Sequence, residues 1–456
     1  MALGRHCKDI QQPLFVATAD IKSPGHPFYR ALNKILDEAD FDAFAEETCA
    51  EFYAGRQGRP GTPPGVYFRM LLVGYFEGIG SERGIAWRCA DSASLREFLG
   101  CSHWDNPPEH SGLSKTRKRL SVEAHEAVFG HVLALLEASK LLKGKTLGVD
   151  STTLEANAAM RSIVRRDDGK GYNEWLEALA RASGIETPTR EDIVKLDRKR
   201  PNKASNKDWE HPHDPEARTT KMKDGRTHLS HKLEQAVDME TGAVVAVTVQ
   251  THDGGDTASL PVTLDAAEEH LSAVDVKPQE VVADKGCHSN HTMKEVAGRG
   301  LRSYVSEPKR GRRSWKRDRA AQKPVHANRR RIRGNRGKRL LRQRGEKLER
   351  GFAHLLRSGG LRRCHVRGQE EIRKRMLLQA AAFNLGLLMS RRFGFGTPRA
   401  LQGLAAAKRA LCGFKNATFG HLLRHVCRMA GVLGLFGLLP GDPGGRQPGW
   451  HGSAAN

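Results

Sequence analysis

Acidic residues are scarce in this chain. Across 456 residues, 52 Asp and Glu stand against 75 Lys and Arg, giving a formal charge of +23 and a pI near 9.9. The shortage is also local: from Lys309 to Arg344 there are 17 Lys or Arg and one acid, Asp318. A merely solvated basic surface would spread its charge evenly. A run of this kind favours a polyanion, which it binds by releasing counterions. CxxC spacing is absent among Cys7, Cys49, Cys89, Cys101, Cys287, Cys364, Cys412 and Cys427. No His cluster completes a zinc site either, so free thiols in a reducing cytosol are expected. No run approaches about 18 apolar residues, so no membrane span is expected. The first residues lack the charged start and apolar core of a signal peptide. What remains is room for two or three domains with a sizeable core.

The first 143 residues read as helical. Residues 1–58 form an N-terminal helical segment, with Leu32, Ile35, Leu36, Phe41 and Phe44 at helical spacing. Residues 59–143 form a second helical unit. One helix opens at Thr62-Pro63-Pro64 with Thr62 as cap, and Gly78 and Gly80 end it. Ser81 starts the next helix. Ser94-Leu-Arg-Glu97 reads as a capping box. Helix, turn, helix at this spacing suits a DNA-binding module or a plain bundle equally. Lys115, Arg117 and Arg119 tilt the reading towards DNA. The helix Val122 to Lys140 closes the unit.

From Gly144 the periodicity becomes that of strands. An apolar strand, Lys145 to Asp150, ends in an acid. Residues 161–226, charged and holding four prolines, read as an insertion, partly flexible, over the site or the DNA. Strand His228–Val237, a turn at Asp238–Gly242, and strand Ala243–Thr251 follow. A helix leads to a strand ending at Asp284, then a helix and strand Leu301–Ser306. The order β-β-β-α-β-α-β-α is that of an α/β, RNase H-like mixed five-stranded sheet flanked by helices. Residues 144–390 therefore form the sheet domain, with the insertion 161–226 and the basic run 309–344. Residues 391–456 form a C-terminal helical tail, with an apolar helix over roughly 419–436 and a disordered end from Pro440.

Two strand-end aspartates, Asp150 and Asp284, and a helical Glu349 suggest a two-metal phosphoryl-transfer site. Mg²⁺ takes hard oxygen ligands and keeps waters, so three carboxylates suffice. The bland alternatives are a turn cap for Asp150 and a surface turn for Asp284. For the helical acid, Glu346 is the alternative, one turn earlier.

Asp150-Ser-Thr-Thr-Leu-Glu-Ala-Asn157, Ala283-Asp-Lys-Gly286 and Glu349-Arg-Gly-Phe352 resemble the three catalytic blocks of bacterial insertion-sequence DDE transposases. Gly360-Leu-Arg-Arg363, Arg367-Gly368 and Ala382-Phe-Asn-Leu385 are similar to the segment after the glutamate in that family. The helical module over 62–120 is also similar, so the resemblance spans roughly residues 30–395. It implies that Asp150, Asp284 and Glu349 bind two Mg²⁺ (or Mn²⁺) ions in an RNase H-like transposase. It further implies cleavage of element ends and joining of the 3′-hydroxyl to target DNA. The implied partners are double-stranded terminal inverted repeats and target DNA, handled by a homodimer or larger assembly. The implied location is the bacterial cytoplasm, at the nucleoid. Many relatives carry Tyr where Cys287 stands. Arg357 stands in for a basic residue about two turns past the glutamate, and Arg344 or Arg342 for an arginine that precedes it.

DNA contacts are expected from Lys115, Arg117, Arg119, Arg329, Arg330, Arg331, Arg344 and Arg357, and from Lys232 on the second strand. Asp253 and Asp256 read as helix caps, and Trp175 as packing of the insertion. Two other classes stay open: a DNA-binding regulator or domesticated remnant without catalysis, and a nuclease without strand transfer.

Overall fold

The computed structural model describes residues 25–403, except 56–57, 59, 102–104, 202, 223–224, 310 and 312–313. The expected tail helix over 419–436 and the end from Pro440 lie outside the described residues. Among the described residues, seven α-helices come first: α1 (Pro27–Glu38), α2 (Phe41–Cys49), α3 (Pro64–Glu77), α4 (Glu82–Ala90), α5 (Ala93–Phe98), α6 (His110–Arg119) and α7 (Val122–Ala138). Ser81, Ser92 and Ser121 cap α4, α5 and α7 through their hydroxyls. Two expected caps are corrected. Pro63, not Thr62, is the N-cap of α3. Ser92 starts α5 two residues before the supposed box at Ser94. Helix α3 is apolar on every side and buried along its length, so it is a core helix rather than one offered to a DNA groove. Its single cation, Arg69, is held by both oxygens of the buried Asp42, at 3.0 and 2.9 Å.

The sheet region follows as β1 (Thr146–Glu155), β2 (Val164–Arg165), α8 (Tyr172–Ala182), α9 (Arg190–Lys199), β3 (Trp209–Glu210), β4 (Arg218–Lys221), β5 (Thr227–Asp238), β6 (Val244–Thr251), α10 (Asp256–Ser272), β7 (Glu280–Ala283), α11 (Asn290–Gly298), β8 (Arg302–Val305), α12 (Gln322–Arg333), α13 (Asn335–Phe352) and α14 (Gln369–Phe393). The main sheet runs β6-β5-β1-β7-β8. β5 is antiparallel to β1 and β6, while β7 is parallel to β1 and β8. This is the mixed α/β, RNase H-like arrangement. The short β4, from the segment read as an insertion, adds a sixth strand along the outer edge of β5.

One strand boundary differs by more than a single residue. β1 does not stop at Asp150; Ser151 to Glu155 continue the ladder against Glu234 to Ser230 of β5. The extension gives Asp150 a mid-strand position with paired backbone on one side. The rest of the insertion has its own small core of Ile163, Trp209, Ala156, Ala217 and Leu229. Trp175 packs edge-on against Trp209, with Arg165 and Arg200 stacked over its ring. That agrees with the packing reading of Trp175.

Two polar side chains fix the strands. Asp238, fully buried at the β5–β6 turn, accepts from the Lys143, Gly144 and Glu240 amides and from the Thr241 hydroxyl. Gly242 supplies the left-handed residue that this turn needs (φ +84°). Asn384 on α14 accepts from the Val244 amide at 3.0 Å and donates to the Val244 carbonyl at 2.8 Å, covering the β6 edge. α14 also lies against α7 and α3, so helices and sheet share one core.

Candidate active site

The register of two strands sets the site. β1 and β7 run parallel, with Gly148 paired to Val282. Two residues further on each chain are Asp150 and Asp284, level with one another and on the same face, because side chains repeat every second residue. β7 ends at Ala283, so Asp284 leaves the sheet at the start of the turn Lys285–Cys287. The two carboxylates are 25% and 46% exposed.

Helix α13 covers this face. Leu348 is fully buried over Gly148, where an added Cβ would meet Met239 Sδ at 2.5 Å and Leu348 Cδ1 at 3.3 Å. Gln235, the β5 partner of Asp150, donates from Nε2 to the Leu348 carbonyl at 3.0 Å. Beyond Phe352 the helix widens into a π-helical turn over Ala353–Ser358, a distortion common beside functional sites.

One turn before Leu348, Arg344 reaches both aspartates. Its Nη1 lies 3.0 Å from Asp150 Oδ2 and its Nη2 lies 3.5 Å from Asp284 Oδ1. A single guanidinium thus sits between two carboxylates. Burial pushes the Asp150 carboxyl above its usual range; Arg344 opposes that shift and the Asp284 charge adds to it. Glu349 is not drawn in. It lies exposed on α13, as does Glu346. Among the described residues, no three His, Cys, Asp or Glu side chains are gathered to hold a metal ion. The expected triad is therefore present as a pair, with Arg344 where a third partner was expected.

Residues 16–119 match the family model described as Transposase domain (DUF772), and residues 206–385 match the one described as Transposase DDE domain. The chain belongs to the insertion-sequence DDE transposases. The DDE match includes Asp284 and Glu349; β1, with Asp150, precedes it. Neither a curated protein nor a solved structure matches. Transposases of this family act on DNA and generally use divalent ions. Among the described residues no helix is long and apolar enough to cross a membrane.

The hard oxygens of Asp150 and Asp284, aimed at one cation, suit Mg²⁺. The arrangement fits the family's metal at two of the three expected ligands.

The structure places the expected DNA contacts in different settings. Arg117 is buried, with Glu82 at 2.7 Å and Glu371 closer still. Lys232 is buried against Asp256 at 2.7 Å. Arg329 forms a two-bond pair with Glu307, and Arg331 donates to the Ser303 carbonyl. Arg344 serves the two aspartates. Arg119 is half-buried, stacked 4.9 Å from the Tyr53 ring centre. Lys115, Arg330 and Arg357 are exposed. A basic run in sequence does not tell which of its cations face inward.

Sequence reasoning missed a polar network on the opposite face of β1. Gly255, not Asp256, is the N-cap of α10, and Asp256 makes no capping bond. Asp256 instead accepts from Ser151 Oγ at 3.1 Å and pairs with Lys232. Its carboxylate presses on the Asp284 turn: a Cβ at Gly286 would stand 2.1 Å from Asp256 Oδ2. Lys232 also donates to Ser259 Oγ at 2.7 Å. Glu234, buried at the centre of β5, accepts from Ser259 at 2.9 Å and from Thr263 at 2.5 Å. Burial raises its carboxyl to about 7 against those bonds. The available signal was Lys232 and Glu234 two positions apart, which alternation places on one face of the strand.

Proposed function

We propose that the chain is a DNA strand transferase that cuts the ends of an insertion sequence and joins the freed 3′-hydroxyl to target DNA. The observation that carries this reading is the shared register of Asp150 and Asp284, which turns two distant aspartates towards one positive charge. Asp150 and Asp284 would hold two Mg²⁺ or Mn²⁺ ions, with Glu349 contributing from α13. Bound there, the ions would activate the attacking oxygen and neutralise the leaving one. The chain's own groups do the positioning. Gln235 anchors α13 at Leu348, Leu348 seats it on Gly148, and Arg344 holds the two carboxylates together. When the carboxylates take metal, Arg344 is free to donate to a phosphate oxygen. Hydrolysis and joining each exchange one oxygen of a phosphodiester for another, so one site serves both. Two ends must be held in one complex, which calls for a dimer or larger assembly on DNA in the bacterial cytoplasm, at the nucleoid. Lys115, Arg330 and Arg357 are the exposed cations offered to the duplex, and residues 59–143 the part offered to the terminal repeats.

The exposure of Glu349 is the observation that favours a catalytically silent DNA-binding regulator. Purified chain, Mg²⁺ and a duplex carrying the element end decide between the readings. Joined products that vanish in Asp150→Ala and Glu349→Ala support strand transfer. Cut but unjoined products mean a nuclease, and neither product means a regulator. Glu346→Ala should leave joining intact; if it alone abolishes joining, the helical acid is Glu346.

A further inference from the structure

A cavity of about 280 Å³ opens where α4 and α6 meet the segment after α13; its walls include Arg83, His110, Ser114, Arg117, His365 and Arg375. Its charge is not balanced. Glu82, also in the wall, is paired with Arg117, which Glu371 neutralises further. Neither Arg83 nor Arg375 has an ion-pair partner among the described residues. Arg375 is the unusual one. It is 3% exposed, its Nη2 reaches only the Ile79 carbonyl at 3.4 Å, and its buried Nη1 has no hydrogen-bond partner. A buried guanidinium with an unmet donor costs free energy unless an anion completes it. Arg83 stands exposed at the rim, and one turn later on α4 is Trp87, 65% exposed.

We infer that this cavity takes a phosphate group of bound DNA, one that is not the scissile phosphate. The inference rests on the reading of the chain as a protein that handles DNA. The cavity wall connects directly to the candidate active site: the Cys364 amide donates to the Glu155 carbonyl at 3.2 Å, and Asn157 Nδ2 donates to the His365 carbonyl at 3.0 Å. Glu155 is five residues beyond Asp150 on β1, about 17 Å along a strand. On B-form DNA a separation of that size spans about five base pairs. A phosphate seated on Arg375 would therefore set where along the duplex the strand meets Asp150 and Asp284.

The test is anisotropy of a short fluorescein-labelled duplex with the full chain, in a salt series without divalent cation, so that strand chemistry plays no part. Arg83→Ala and Ser114→Glu alter the cavity at its rim and wall without removing the buried arginine. Each should weaken binding about tenfold, and Arg83→Ala should lower the slope of log K against log salt by about 1. Lys277→Ala, an exposed cation elsewhere, should change neither. Wild-type affinity and slope in both cavity variants would overturn the inference. So would variants that lose thermal stabilisation by inorganic phosphate while keeping DNA affinity, since the cavity would then serve a free anion. A wild-type chain that binds no duplex overturns the reading of function along with it.

Discussion

The two faces of β1 carry carboxylates in opposite circumstances. On one face Asp150 and Asp284 are part-exposed and share a single arginine. On the other, Glu234 and Asp256 are bonded to Lys232, Ser259, Thr263 and Ser151, with Glu234 almost wholly buried. The first pair is under-bonded and open, which leaves oxygens for a ligand. The second is bonded into the fold by neighbouring side chains, although Asp256 keeps 36% exposure. The partners an acid finds, rather than its residue type, separate acids suited to chemistry from acids that hold strands together.

The sharpest break of that contrast is at the open face. Asp150→Asn or Asp284→Asn should lower strand joining about a hundred- to a thousandfold, the order seen when an electrostatic partner of the reacting group is removed. Urea unfolding should move little, because each side chain makes few bonds. A variant that joins DNA normally would end the assignment. On the closed face the expectation reverses. Lys232→Met removes the cation paired with Asp256 among the described residues and should cost about 2–4 kcal/mol in urea, towards the lower end because Asp256 keeps some solvent. An unchanged midpoint would mean that the ion pair carries no structural weight.

The difference between the faces explains what could be read from sequence. Strand order and the pairing of Asp150 with Asp284 were legible, because alternation and spacing are local and the register follows from them. The length of β1 was not: the sequence reads as a strand ending at Asp150, and only pairing with β5 carries it on through Ser151 to Glu155. Nor were the destinations of the cations. Arg117 finds Glu371 some 250 positions away in the chain, and Arg344 turns inward to Asp150 and Asp284. Such choices are made by tertiary packing, on which composition is silent. Asp256 was read as a cap because capping is the commonest use of an acid ahead of a helix, and Gly255 took that place instead.

Glu234 sharpens the contrast through pH. Its carboxyl, raised to about 7 by burial, binds a proton more tightly in the folded chain than in the unfolded one, where the value is near 4.5. Its contribution is therefore best below about pH 4.5, declines as pH rises towards 7, and stays low above that, by at most about 3 kcal/mol. Glu234→Gln cannot titrate. The wild type should lose stability relative to this variant between about pH 4.5 and 7; parallel pH profiles for the two would show that Glu234 folds ionised.

The smallest expected effect lies at the joint between the faces. Gly286→Ala brings a Cβ to within 2.1 Å of the Asp256 carboxylate, behind the turn that presents Asp284. The clash is with the end of a side chain that can swing, so the cost should be only about 1 kcal/mol in urea. Swinging, however, takes Asp256 away from Ser151 Oγ and Lys232, and it loosens the Asp284 turn. If the closed face sets the geometry of the open one, joining should fall about tenfold while stability barely changes. Adding Asp256→Asn, which weakens the Lys232 pair beforehand, should then produce less than the sum of the two losses. Full additivity would show that the two faces work independently, and that Asp256 belongs to the fold alone.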